Sequence, residues 1–129
     1  MRNGCIKSGI DPKLTSRCIE FDMRCGGRID RLIADIVIAL CADFFRRRTA
    51  IEEKSVSHRT DTEYRYLNFK IHDACAGVVG EDLCDSFIRF IGGRIGYAKC
   101  DLDIMSEVTY KRYKHRATVA IALSLHLVD

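Results

Sequence analysis

Ile29, Leu32, Ile33, Ile36, Val37, Leu40, Cys41 and Phe44 recur at helical spacing between residues 28 and 48, and no other pattern in the chain constrains its fold as strongly. An apolar stripe with that period has to be buried along one side of a helix. Asp30, Arg31 and Asp35 fall on the opposite side, so the sequence predicts one long amphipathic helix at the centre of the core. Only residues 36–40 are rich in β-branched side chains, and their neighbours continue the helical period, which leaves no expected strand. Arg46, Arg47 and Arg48 fall in the last turn, where cations favour the negative end of the helix dipole. A solvated terminus and a phosphate contact both suit such a run.

Weaker signals place the other helices. Asp11 followed by Pro12 reads as an N-cap with proline at the first helical position, and Leu14, Cys18, Phe21 and Cys25 draw a stripe that Gly26 and Gly27 end. Residues 52–58 are polar and read as a loop. Thr60 and Glu63 then fit a capping box, opening a helix whose buried side is Tyr64, Leu67, Ile71, Cys75 or Ala74, and Val78, with Gly80 as its stop. Glu81 and Asp82 put negative charge at the start of the next helix, which buries Leu83, Phe87, Ile88 and Ile91 before Gly92 and Gly93 close it. The expected fold is all-α, a single-domain bundle of five to six helices with a C-terminal helix-turn-helix. It divides into a flexible lead-in over residues 1–10, a helical body over 11–93 and a helix-turn-helix-like segment over 94–129 packed on the same domain.

Composition narrows the function. With 129 residues and 47% apolar side chains the chain can bury one core but not two. Its longest apolar stretch, residues 33–45, is cut by Asp35 and Asp43, far short of the roughly 20 apolar residues of a membrane span. No basic-then-apolar leader opens the chain, so no secretory signal is expected. Seven cysteines, an odd number without a Cys-x-x-Cys pair, point to a reducing compartment and a cytoplasmic protein with buried thiols. His72 and Cys75 are the nearest approach to a ligand pair, but a structural zinc takes four ligands, so no metal is expected. Cys75 with His72, or Cys84 with His58, would be the nucleophile and base of an enzyme, yet a thiol on a buried stripe is inert. Gly92-Gly93-x-x-Gly96 follows a helix and not a strand, unlike a phosphate-cradling loop. Neither catalysis nor a cofactor is expected.

The charge points elsewhere. Residues 94–118 hold six basic and three acidic side chains, whereas the fifteen of each in the rest of the chain cancel, so the whole net charge of +3 sits in this stretch. A local positive field beside a neutral body suits a phosphate backbone. Ser106 can cap a helix running from Glu107 towards Val128, with Tyr110, Tyr113, Ala117, Ile121 and Ser124 inward. Its outward arc collects Val108, Lys111, Arg112 and His115, flanked by Lys114 and Arg116. In a major groove, Lys111 and Arg112 would address guanine edges or phosphates and Val108 a thymine methyl.

Ser106, Thr109, Tyr110, the basic run from Lys111 and Ala117 carry a resemblance. The stretch is similar to the recognition helix of sigma-factor region-4-type helix-turn-helix proteins, in the form found in small phage regulators of the ArpU and RinA kind. The resemblance extends over about residues 94–128. It implies a supporting helix over 94–100, with Ala98 packed between the two helices, and a connection that holds Asp101 or Asp103 where the family places glycine. It also implies double-stranded DNA as partner, a role in transcription control, and contacts from Ser106, Val108, Lys111, Arg112, Lys114, His115 and Arg116. Such regulators often act as homodimers reading two half-sites. A rival reading is a helical protein–protein interaction module, such as a phage-type inhibitor of a host system, using Tyr66 and Phe69 beside Tyr64 and Arg65.

Overall fold

In the computed structural model, residues 18–19, 29–101 and 105–128 are described. Among them are two short strands, β1 (Cys18–Ile19) and β2 (Ile29–Asp30), and five α-helices: α1 (Arg31–Ala42), α2 (Phe44–Glu53), α3 (His58–Val79), α4 (Glu81–Gly92) and α5 (Glu107–Ser124). The fold is all-α, with α5 packed on α3, α1 and α4. None of the described helices is long and apolar enough to cross a membrane. The lead-in and most of the helix expected over 11–25 lie outside the described residues. Cys18 and Ile19, however, are extended and pair antiparallel with Asp30 and Ile29, so that expectation is corrected there. Ile29 is buried against Ala34 and Val119, in a small cluster beside the main core.

The long helix expected over residues 28–48 is two helices. Asp30 is the N-cap of the first, its carboxylate accepting from the Leu32 amide at 2.7 Å, and Asp43 separates the two. The bend follows from packing: α1 lies against α4 and α5, whereas α2 lies against α3. A straight helix spanning both, about 30 Å long, would follow one axis and could not turn to serve both surfaces. Val37, Cys41 and Phe44 are buried as the period requires, but Leu32 and Ile36 are 61% and 43% exposed, so the stripe is narrower than expected. The arginine run lies within α2, not in a last turn.

The helix α3 begins one turn before the expected Thr60 cap. Ser57 takes the extended conformation and its hydroxyl accepts from the Thr60 amide at 3.3 Å, so His58 and Arg59 join the helix. Residues 52 and 53, expected in a loop, close α2. Gly80 ends α3 at φ 89°, as its position suggested. Behind it, α4 buries Cys84, Phe87, Ile88, Phe90 and Ile91. Phe87 and Phe90 meet the Tyr110 ring of α5 at 5.6 and 5.5 Å between centroids.

Candidate functional site

The start of α5 is set by three hydroxyls. Ser106 caps the helix, its Oγ accepting from the Thr109 amide at 3.2 Å, so this side chain is already engaged. Tyr97 donates to the Met105 carbonyl at 2.9 Å and holds the preceding segment to the cap. Tyr110, almost fully buried, donates to the Ile95 carbonyl at 2.5 Å.

The supporting helix expected over 94–100 does not form; the segment holds only a 3-10 turn, Tyr97–Lys99. Its first residue is used to finish α4. Arg94 adopts φ 53°, its amide donates to Ile91 at 3.2 Å, and the Ile95 amide donates to Phe90 at 2.9 Å. These two bonds close α4 in a Schellman motif, which turns the chain away from its helical path.

The outward arc of α5 is also narrower than its sequence suggests. Val108 is 66% exposed, and Lys111 and Arg112 reach solvent, with Lys111 paired to Glu107 at 2.8 Å. His115, expected outward, and Lys114 and Arg116, expected to flank it, are half-buried, while Thr118 and Val119 are buried. The cause is that α3, α1 and α4 all pack on α5, which covers more of the helix than a single inward arc. The helix ends at Ser124, short of the expected Val128, where His126 takes φ 59°.

Behind the exposed residues lies a cavity of about 340 Å³ between α1, the end of α4 and α5. Ala34, Ile38 and Ile91 form apolar walls, and Tyr97 and Tyr110 add aromatic surface. Arg94, Lys111, Lys114 and His115 bring basic groups to it. Lys114 turns back, donating to the Ile95 carbonyl at 2.8 Å and lying over the Tyr110 ring. Burial, and then the nearby Arg94 charge, lower its pKa from the ordinary lysine value. His115 is lowered likewise, by burial first and by Lys114 second.

The other candidates resolve differently. Each guanidinium of the arginine run meets a carboxylate: Arg46 and Arg47 meet Asp43 at 2.5 and 3.3 Å, and Arg48 meets Asp85 at 3.1 Å. Arg47 is buried and out of reach of a phosphate. His72 meets Cys84 at 3.5 Å, so neither the Cys75–His72 nor the Cys84–His58 pairing expected of an enzyme is the one formed. With Asp85, these two groups place one ligand atom each within 4.8 Å of one another. Three groups are one short of a closed zinc site. Burial lifts the Cys84 thiol to about 11 and Cys41 to about 12, so both stay protonated at neutral pH.

On the outer face of α3, Tyr66 is 51% and Phe69 64% exposed. Lys70 lies over the Tyr66 ring at 5.7 Å, and Arg65 pairs with Asp61 at 2.6 Å. Residues 102–104, which hold Asp103, lie outside the described part of the chain. Comparisons of the chain with protein-family models, curated proteins and solved structures find no match.

Proposed function

We propose that this protein binds double-stranded DNA and acts in transcription control, with the first turns of α5 entering the major groove. The observation that carries the reading is the exposure of Val108, Lys111 and Arg112 on a helix whose other sides are built into the core. A probe held that firmly keeps its donors in fixed register, which base recognition requires. The local excess of positive charge draws the phosphate backbone to the same end of the molecule. Lys111 and Arg112 would contact phosphates or guanine edges, and Val108 a thymine methyl. Lys114 and His115 are committed to the cavity and add little to this surface.

Fluorescence anisotropy with a labelled random duplex tests the reading. Binding at low salt should weaken with a log–log slope set by the number of phosphates contacted. Lys111→Ala with Arg112→Ala should lower affinity at least about tenfold while leaving the melting temperature unchanged. Absence of binding at low salt overturns the proposal, as would unaltered affinity in the double variant.

The exposure of Tyr66 and Phe69 favours a second reading, in which α3 docks a protein partner. A second copy of the chain as that partner would join two DNA-reading helices. Sedimentation of the wild type and of Tyr66→Ser with Phe69→Ser distinguishes the cases: a dimer lost in the variant supports self-association, and a monomeric wild type excludes it.

A further inference from the structure

We propose that the cavity behind α5 binds a small organic monocarboxylate, an aryl or medium-chain acid, with its carboxylate on Lys114 and its apolar body against Ala34, Ile38 and Ile91. The charge state of the cavity argues for one negative charge. Arg94 is paired with Asp35 at 3.1 Å and Lys111 with Glu107 at 2.8 Å. Among the described residues no carboxylate lies within ion-pair distance of Lys114, whose hydrogen bond goes to a backbone carbonyl. An ammonium has three donors, so two remain for an incoming anion. Half-burying a cation without a counter-charge is costly, and the adjacent Arg94 adds repulsion. A bound carboxylate offsets both.

The walls argue for an organic ligand. An inorganic anion would satisfy Lys114 but leave the half-buried lining side chains of Ile38 and Tyr97 facing water. A cavity of about 340 Å³ has the size and mixed lining of a small-ligand site, apolar surface with a few convergent polar groups. The inference does not rest on DNA binding.

Octanoate, added to the full chain, is the probe, with octanamide and inorganic phosphate as comparators. Methyl NMR should show saturable shifts at Ala34, Ile38 and Ile91 with octanoate, and effects at least about tenfold weaker with octanamide, which lacks the charge-assisted bond. Phosphate should leave the methyls unmoved. Lys114→Met should weaken octanoate binding by a similar factor; if that variant does not fold, the wild-type comparison of octanoate with octanamide decides alone. Equal binding of octanoate and octanamide would overturn the proposal by removing the role of Lys114. Shifts confined to other methyls, or none at millimolar octanoate, would overturn it by removing the site.

Discussion

Arg47 donates from Nε to the side-chain oxygen of Asn68 at 2.7 Å, across the contact between α2 and α3, and both residues are buried. The same guanidinium reaches the Leu40 carbonyl at 2.6 Å and Asp43 at 3.3 Å, while the Asn68 amide donates to the Phe44 carbonyl at 3.1 Å. These bonds tie the end of α1 and the start of α2 to α3 where the long apolar stripe bends. Arg47→Ala leaves the Asn68 oxygen and the Leu40 carbonyl without that donor in a dry site, and should cost about 3 kcal/mol. Arg48→Ala, which removes a pair whose arginine is 44% exposed, should cost less than about 1 kcal/mol. Urea denaturation of the two variants checks the contrast; equal midpoints would refute it.

Gly92 marks a close approach of α4 to the end of α1. A Cβ there would lie 2.5 Å from the Ala42 nitrogen and 2.7 Å from its Cα, and backbone cannot move aside as a side-chain tip can. Gly92→Ala should therefore destabilise the fold by about 1–3 kcal/mol. Gly77, on the exposed side of α3, has nothing within 4 Å of a built Cβ. Gly77→Ala should stabilise by roughly 0.5–1 kcal/mol through helix propensity alone. Thermal unfolding should shift in opposite directions for the two variants, and a shared direction would contradict this account.

How much of this was legible in the sequence depends on whether an element announces its own ends. The helices α3 and α4 share Gly80 and carry Glu81, Asp82 and an unbroken stripe, so their cores and their boundary could be read directly. The bend at Asp43 could not, because it answers to different partners for the two halves of one periodic stripe. The exposed tip of α5 was visible as Val108, Lys111 and Arg112. The withdrawal of Lys114, His115 and Arg116 was not, since a helical wheel supplies one buried arc and this helix has neighbours on its flanks. Arg94 was expected to open the supporting helix that the resemblance implies, and its role as a left-handed cap was hidden because such caps are usually glycine. Here Lys54, Arg94 and His126 take that role instead.

Those caps yield a prediction of their own. Lys54 sits at φ 53°, with its amide on Ile51 and the Ser55 amide on Ala50, both at 3.2 Å. A side chain in this conformation costs roughly 1–2 kcal/mol, part of which glycine would return as added freedom in the unfolded chain. Lys54→Gly should thus raise stability by about 0.5 kcal/mol. Chemical denaturation reads the sign, and a lower midpoint in the variant would show that the lysine is favoured there by something other than its backbone.

His115 gives the fold a pH dependence whose sign follows from its surroundings. Burial first, and then the Lys114 charge, lower its pKa from the ordinary 6.5; Arg94 and Lys111, paired with Asp35 and Glu107, line the same cavity, and no carboxylate is among its lining residues. Below 6.5 the unfolded chain takes up a proton at this residue that the folded chain still excludes. The unfolded state then binds more protons, so stability falls as pH falls, until the folded pKa is also passed. Above 6.5 the imidazole is neutral in both states and contributes nothing of this kind. His115→Gln removes the titration while keeping a polar side chain of similar reach. Urea midpoints measured from neutral into the acid range should decline more steeply for the wild type than for His115→Gln, with the two curves converging in slope above the ordinary histidine value. Parallel curves throughout would mean that His115 is as free to protonate in the folded protein as in the unfolded chain.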